Sequence, residues 1–447
     1  MYDIINDSVQ LVSFSVYFFI INTTTGSYRQ KILFIKYMNN HVYLFYLLLL
    51  VYGCDEPVSS PDVKTPVYYF SRVFGENDAE MGYSIRSTKD NGFIIAGATS
   101  SYWSTDSLPR ISGALHGVTD AIIAKVDSLG NTEWVKTYGG DFFESAFNAA
   151  ENEQGGYFFA GYTNSIGKGL YDFWLVNLDE GGNVNWEKTY GTPQANVGLY
   201  GNQTADGGYA IAGYSIPVDR NDKDFWLLKT NSNGDSLWSA LYGDSLNQLV
   251  NNFQETSDGG FILAGETWGV TTNNDILIIK TNSEGEQEWS KKIIEERNDQ
   301  AYAIKETNNG YILIGSTTSL GAGNKDIWLI KLDVSGNVVW HKTYGGEALE
   351  YGFDVIPLND GYVFTGSTSS YGTEFYDIWI IKVDLEGGVI WESIYGGPMI
   401  DIGRSIINNG YDGFTILGQT SSYGSGEYDF WMIKTNELGL VPESESF

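Results

Sequence analysis

The sequence predicts an all-β protein, a β-propeller of seven four-stranded blades. Three observations predict this fold class. A unit of about 51 residues recurs seven times; each unit holds four short segments rich in β-branched and aromatic residues; and glycine, asparagine or aspartate stands at the turns between them. Four antiparallel strands in a repeat of this length are typical of a propeller blade.

The clearest copy of the unit is 326–346, DIWLIKLDVSGNVVWHKTYGG, which reads as two strands joined by a tight glycine turn. The aspartate that opens it recurs every 51 or 52 residues, at Asp120, Asp172, Asp224, Asp275, Asp326, Asp377 and Asp429. A second marker, a strand that follows a glycine turn, ends at Gly97, Gly161, Gly213, Gly265, Gly315, Gly366 and Gly418. In the sixth repeat we predict strands at 352–357, 361–367, 377–384 and 389–395.

The two ends of the repeat region complement each other. The fourth strand of a repeat carries tryptophan in six copies, at Trp134, Trp186, Trp238, Trp289, Trp340 and Trp391, and a seventh copy is missing near the C-terminus. Segment 69–75, YFSRVFG, aligns with 133–139, EWVKTYG. We therefore predict that the N-terminal segment completes the last blade, which closes the ring and removes the free sheet edges. The predicted propeller spans 67–440, and 441–447 form a tail.

The first 66 residues read as a leader and a tether. The apolar run 42–53, VYLFYLLLLVYG, precedes the single cysteine, Cys54, and is shorter than a comfortable membrane span. The stretch VYGC resembles a bacterial lipobox, which implies lipidation of Cys54. Residues 1–53 are then a signal, with Met38 as an alternative start, and 54–66 a polar tether whose Asp55 and Glu56 resemble a surface-export signal. The expected location is the cell envelope, on the outer membrane.

The composition excludes several classes of partner. The chain has 26 Lys and Arg against 56 Asp and Glu, a formal net charge of −30. Such a surface repels nucleic acid and anionic lipid, so we expect membrane contact through the lipid anchor alone. One cysteine excludes disulfides and cysteine-based zinc sites within a chain, and the three histidines have no metal-ligand spacing. We expect no metal, no cofactor and a monomer.

The segment 332–340, LDVSGNVVW, resembles the repeat of PQQ-type (quinoprotein-like) propellers, with Asp, Gly and Trp in the same order. The resemblance implies that the fourth-strand tryptophans dock neighbouring blades. The wider pattern, DGGY-I-AG followed by DxWLIKxDxxGNxxWxKTYGG, is similar to uncharacterised bacterial and archaeal repeat proteins. Quinoprotein enzymes use eight blades and an adjacent cysteine pair, whereas this chain has seven repeats and one cysteine.

Two sets of residues are candidates for a site on the face where the second-to-third and fourth-to-first connections meet. The first set comes from loops rich in Ser, Thr, Tyr and Gly, and contains Trp103, Trp268, Tyr102, Arg110, His116, Tyr371 and Tyr423. Exposed aromatic residues there suit stacking on sugars or anchoring a protein. The alternative is a satellite core under the long loop 98–119.

The second set is one polar residue that follows each fourth strand. Its members are Glu80, Glu144, Asn196, Gln248, Gln300, Glu350 and Asp401. We predict that they ring the mouth of the central channel, where clustered carboxylates would raise one another's pKa or bind a cation. The alternative is that they hold the backbone N–H groups of the loops.

The sequence favours a lipid-anchored, non-catalytic binding or scaffold protein, with a glycan or an envelope or extracellular protein as ligand. The alternative is an enzyme, namely a polysaccharide lyase, a glycosidase or a quinoprotein-like oxidoreductase, that uses the acidic residues of the channel mouth. The chain carries no nucleophile elbow, Ser/His/Asp set or phosphate-binding loop.

Overall fold

The computed structural model describes residues 15–25, 28–39, 42–47, 69–75, 79–100, 119–269 and 273–442. The chain separates into two units, Met1–Pro66 and Val67–Phe447. The first unit contains an antiparallel three-stranded sheet of β1 (Ser15–Thr25), β2 (Tyr28–Asn39) and β3 (Val42–Leu47). Within the described ranges, no helix has the length and apolar character needed to cross a bilayer. Cys54 and the tether lie outside these ranges.

The second unit is a seven-bladed β-propeller, as predicted, and begins with β4 (Phe70–Phe74). Blade 1 consists of β5 (Glu80–Ser87), β6 (Phe93–Thr99), β7 (Asp120–Val126) and β8 (Thr132–Tyr138). Blade 2 consists of β9 (Glu144–Glu151), β10 (Tyr157–Thr163), β11 (Asp172–Leu178) and β12 (Val184–Tyr190). Blade 3 consists of β13 (Asn196–Gln203), β14 (Tyr209–Ser215), β15 (Asp224–Thr230) and β16 (Ser236–Tyr242).

The remaining blades repeat this order. Blade 4 consists of β17 (Asn247–Glu255), β18 (Phe261–Trp268), β19 (Asp275–Thr281) and β20 (Gln287–Ile293). Blade 5 consists of β21 (Asp299–Thr307), β22 (Gly310–Thr317), β23 (Asp326–Leu332) and β24 (Val338–Tyr344). Blade 6 consists of β25 (Glu350–Leu358), β26 (Gly361–Thr368), β27 (Asp377–Val383) and β28 (Val389–Tyr395). Blade 7 consists of β29 (Asp401–Asn408), β30 (Phe414–Thr420), β31 (Asp429–Thr435) and β4, with a 3-10 turn at Gly410–Asp412.

The ring closes as the sequence predicts. Strand β4 pairs antiparallel with β31, with Phe70 opposite Lys434 and Phe74 opposite Phe430. The indole Nε1–H of Trp431 donates to Ser71 Oγ at 2.8 Å across the same pair. The N-terminal segment therefore supplies the outer strand of blade 7. In each blade we call the four strands, from the channel outward, inner, second, third and outer.

The core lies between the blades. The second and third strands are buried along nearly their whole length, and β22, β23 and β26 are buried at every residue, because each sheet is covered by a neighbouring blade on both faces. One core cluster, for example, joins Ile314 and Leu329 of blade 5 to Phe364 and Trp379 of blade 6. This two-sided burial explains why these strands are nearly continuous apolar runs in the sequence.

The outer-strand tryptophans connect successive blades, as the resemblance implied. A Cβ on Gly336, in the turn of blade 5, would lie 2.6 Å from Cζ3 of Trp289 in blade 4, and Gly336 has a φ of +77°. The same contact joins the other five outer-strand tryptophans to the turn glycine of the next blade, and Phe70 makes it to Gly130 of blade 1. Only glycine combines this φ with such close ring packing.

A buried lysine on the third strand anchors the turn between the inner and second strands, at the same end of the blade as the glycine turn that contacts the tryptophan. Lys229 and Lys382, for example, pair with Asp206 and Asp360, each at 2.8 Å. In blade 5 the position of Asp360 is taken by Asn309, and the described ion pairs include none for Lys331. Its ammonium donates to Thr307 Oγ1 and the Leu332 carbonyl, both at 2.9 Å. Burial lowers the pKa of Lys331 to about 8.

Deleting 67–75 should abolish the cooperative thermal unfolding transition of the propeller. The deletion removes β4, so it leaves the third strand of blade 7 as a free edge and removes the Phe70 contact to blade 1. Circular dichroism on heating measures this. A melting curve equal to that of the full chain would show that the two ends do not close the ring.

Replacing Asn309 by Asp should stabilise the protein by about 1–3 kcal/mol at pH 7, because the carboxylate would pair with the buried Lys331 ammonium. In the wild type the pKa of Lys331 is about 8 when folded, below its unfolded value, so the unfolded state binds more protons between about pH 8 and pH 10. The free energy of unfolding of the wild type therefore rises with pH over this range.

The advantage of the Asn309→Asp variant should be largest below pH 8 and should shrink toward pH 10. Urea denaturation of both proteins at several pH values measures the difference. A difference that does not change with pH would contradict the assignment to Lys331. Blade 6 shows the geometry expected of the variant, since its Lys382 ammonium already lies 2.8 Å from the Asp360 carboxylate.

Candidate functional site

One face of the propeller carries both kinds of connection that the sequence assigned to it. The loop from each outer strand to the next inner strand contacts the loop between the second and third strands. In blade 2 the Asn164 N–H donates to the Phe143 carbonyl at 3.1 Å, and the Phe143 N–H donates to Asn164 Oδ1 at 2.7 Å. We call this the upper face.

The predicted polar ring is buried beneath the upper-face loops. Glu80, Glu144, Asn196, Glu350 and Asp401 open their inner strands, Gln248 is the second residue of β17, and all six are at most 1% exposed. The Glu350 carboxylate accepts the Thr368 hydroxyl at 3.0 Å and the N–H groups of Gly346 and Ser370, each at 3.1 Å. These groups therefore lie beneath the loops, and the hydrogen bonds of Glu350 agree with the alternative, in which the polar residues hold the N–H groups of the loops.

In blade 5 the structural counterpart of the other ring members is Asp299 and not Gln300. Asp299 opens β21, is fully buried and accepts the Ser319 hydroxyl at 2.8 Å. Gln300 is the next residue, on the other face of the strand. A constant spacing of ten residues from the outer-strand tryptophan, as from Trp340 to Glu350, identifies Asp299 from Trp289.

The repeated aspartates that open the third strands have the same structural role. Oδ2 of Asp326 accepts the Gly323 N–H at 3.2 Å and so fixes the loop before its strand. Burial raises the pKa of Asp326, and the nearby Glu350 carboxylate raises it further. These carboxylates are engaged inside the protein. Among the described residues, no group of three or more His, Cys, Asp or Glu side chains could hold a metal ion.

The channel is lined by a feature that recurs in every blade. Each inner strand has a β-bulge at the third residue after its buried polar residue, so that this one residue has no partner on the second strand. A bulge re-aims a side chain out of the regular pleat. The seven bulged residues together line a cavity of about 270 Å³ in the channel; they are Tyr83, Phe147, Leu199, Asn251, Tyr302, Phe353 and Arg404. We call them the bulge layer.

Aromatic and basic side chains surround the bulge layer on the upper face. We call this group the upper mouth and define it as Tyr162, Tyr171, Tyr214, Lys223, Trp268, Lys325, Tyr351 and Tyr376. The Lys223 ammonium lies 4.2 Å from the ring centroid of Tyr214 and 5.9 Å from that of Trp268. The Lys325 ammonium lies 4.6 Å from the ring of Tyr351. Aromatic contacts continue downward, since the rings of Tyr162 and Phe147 lie 5.9 Å apart.

The electrostatics of the upper mouth come from a few partly buried groups. Burial lowers the pKa of Lys223 and of Lys325, and the Glu266 carboxylate between them acts in the opposite direction. Glu266 accepts the Gln300 amide at 3.0 Å, and Gln300 Oε1 accepts from Lys325 at 3.1 Å and from the Tyr302 hydroxyl at 3.0 Å. This arrangement offers flat aromatic faces beside hydrogen-bond donors.

The loop candidates from the sequence divide into three groups. Trp268 is a member of the upper mouth. Tyr371 and Tyr423 are 42% and 45% exposed, but their hydroxyls donate to the carbonyls of Gly345 and Gly396 and their rings cover Trp379 and Trp431. They support framework tryptophans and are not members of the upper mouth. Trp103, Tyr102, Arg110 and His116 lie outside the described residues.

Sequence reasoning missed the bulge layer and most of the upper mouth. The bulged residue is always the third after the buried polar residue, but that position varies from tyrosine to leucine to arginine. A regular strand pattern would not predict that it points into a channel. A detectable signal was the residue before each repeated aspartate, which is Tyr171, Lys223, Lys325, Tyr376 or Tyr428 in five of the seven repeats.

Replacing Glu350 by Ala should destabilise the protein by about 2–4 kcal/mol, because it leaves two N–H groups and one hydroxyl without their acceptor. The exposed Glu347, three residues earlier, is the control, and its replacement by Ala should change stability by less than about 0.5 kcal/mol. Chemical denaturation measures both. Equal small effects would show that Glu350 is not a structural carboxylate.

No protein-family model and no curated protein matches the chain. Among solved structures, the β-propeller domain of the trilobed protease from Pyrococcus furiosus is similar at 9% identity and a TM-score of 0.45, covering 81% of this chain and 95% of that one. A protein of unknown function from Dyadobacter fermentans is similar at 11% identity and a TM-score of 0.42, covering 82% and 98%. A polysaccharide lyase, the PL25 ulvan lyase, is similar at 11% identity and a TM-score of 0.42, covering 73% and 82%. At these identities the likeness concerns the fold alone, which is that of a β-propeller.

Proposed function

We propose that this protein is a non-catalytic binding propeller that takes a glycan at the upper mouth. The observation that supports the proposal is the convergence of Tyr162, Tyr214, Trp268 and Tyr351 on one opening, with Lys223 and Lys325 beside their rings. Sugar rings present apolar C–H faces and hydroxyl edges. Aromatic faces bordered by donors suit both.

The geometry favours binding over catalysis. A lyase or glycosidase needs carboxylates that can reach the substrate. The acidic residues proposed from the sequence, such as Glu144 and Glu350, are fully buried, and their oxygens already accept hydrogen bonds from the loops. The enzyme alternative, including a quinoprotein-like oxidoreductase, would therefore have to use other groups.

We propose further that the chain is anchored in the cell envelope by a lipid on Cys54, with the propeller on the outer surface of the outer membrane. The support is in the sequence, namely the apolar run before Cys54 and the polar segment 54–66 after it. A tether of this kind would allow the upper mouth to reach an external polymer. A protein partner at the same mouth is the alternative ligand.

The proposal is tested by applying the purified protein to a glycan array, together with the variant Trp268→Ala. Loss of one stacking aromatic should weaken binding about two- to tenfold. The control is Tyr423→Ala, which removes an exposed aromatic from the same face at a position outside the upper mouth. It should bind like the wild type.

Two results would contradict the proposal. A blank array from well-folded protein would exclude the glycans tested and favour the protein partner, to be sought by crosslinking in the native envelope. Equal losses in Trp268→Ala and Tyr423→Ala would place the site elsewhere on the upper face.

A further inference from the structure

Arg404 is the only arginine or lysine in the bulge layer, and it lies in the channel without a counter-ion. Its guanidinium carbon is 4.4 Å from the ring centroid of Phe353. Its buried Nε atom has no hydrogen-bond partner, and no ion pair to Arg404 exists among the described residues. Burial lowers the pKa of Arg404, and the groups that act in the opposite direction are tyrosine hydroxyls, not carboxylates.

The acidic residue that shares this cavity is already occupied. Asp354 lies 3.8 Å from the Lys305 ammonium, and its Oδ2 accepts the Ser405 hydroxyl and the Ile406 N–H, each at 3.2 Å. A partly buried cation without a partner costs folding free energy, because burial removes water that the protein does not replace. The absence of a carboxylate partner for Arg404 is unexpected in a chain whose net charge is −30.

The remaining walls of the cavity suit a small cyclic molecule. The rings of Tyr83 and Phe147 are stacked, 4.6 Å apart with an interplanar angle of 19°, and the ring of Tyr302 lies 5.1 Å from that of Phe353. Burial raises the pKa of Tyr83 to about 12, and its hydroxyl donates to Met81 Sδ at 3.7 Å. The cavity of about 270 Å³ is large enough for one sugar ring.

We propose that the channel binds the carboxylate of an acidic sugar, with Arg404 as its counter-ion. The planar guanidinium offers paired N–H groups that match a carboxylate, and the aromatic walls cover the faces of the sugar ring. The site lies below the upper mouth, so a uronate unit of a bound glycan would enter the channel while its neighbours contact the mouth. The identity of the ligand as a sugar rests on the proposed glycan-binding function.

The test is isothermal titration calorimetry on the full chain with D-glucuronate and D-glucose as probes. The wild type should bind glucuronate at least about tenfold more tightly than glucose, as expected for a charge-assisted hydrogen bond. Arg404→Gln should lose this preference. Arg404→Lys, which keeps the charge without the planar fork, should keep part of it. Arg297→Gln is the control, because Arg297 is exposed and lines neither cavity of the channel.

The melting temperature of each variant is measured without ligand, to show that a loss of binding does not come from misfolding. Arg404→Gln should melt no lower than the wild type. Equal binding of the two sugars by the wild type, or an unchanged glucuronate preference in Arg404→Gln, overturns the inference. If the protein binds glycans on the array but does not bind glucuronate, the carboxylate site at Arg404 is rejected and the proposed glycan-binding function is kept. If glucuronate binds through Arg404 while the array stays blank, the inference stands and binding of polymeric glycans falls.

Discussion

The structure depends on the pairing of β4 with β31, which joins the two ends of the propeller. A ring of blades has no free edge only if the last blade is completed, and here the completing strand comes from the start of the repeat region. The contact also places Phe70 on the turn glycine of blade 1, where the other blades have tryptophan. Every interblade interface therefore has the same aromatic contact, and the channel has walls on all sides.

Polar groups in this protein divide into those that hold the ring together and those that remain available. The repeated aspartates, the polar residues at the start of the inner strands and the lysines of the third strands are mostly buried, and the hydrogen bonds of Lys125, Lys229, Asp326 and Glu350 go to loops and turns. Lys223, Lys325 and Arg404 differ, since their main contacts are aromatic faces. Repetition alone does not make a residue functional here, because the most regular positions are the structural ones.

The β-bulge of each inner strand links the regular architecture to the proposed binding function. One unpaired residue in each inner strand is enough to turn a side chain from the sheet into the channel. The seven positions are equivalent in structure but hold different residue types, from tyrosine to leucine to arginine. Arg404 is the one charged residue among these seven, which is why the proposed carboxylate site is placed beside it.

The sequence by itself determined the number of blades, the four strands in each and the closing segment 69–75, because hydrophobic periodicity and turn glycines are local and recur every 51 or 52 residues. It also identified the carboxylates that open the inner strands, with Gln300 displaced by one residue from Asp299. Only the tertiary structure decided that these groups are buried, that Tyr371 and Tyr423 cover framework tryptophans and that Arg404 faces the channel. The physical reason is that residues about 51 positions apart become neighbours only when the blades pack around one axis.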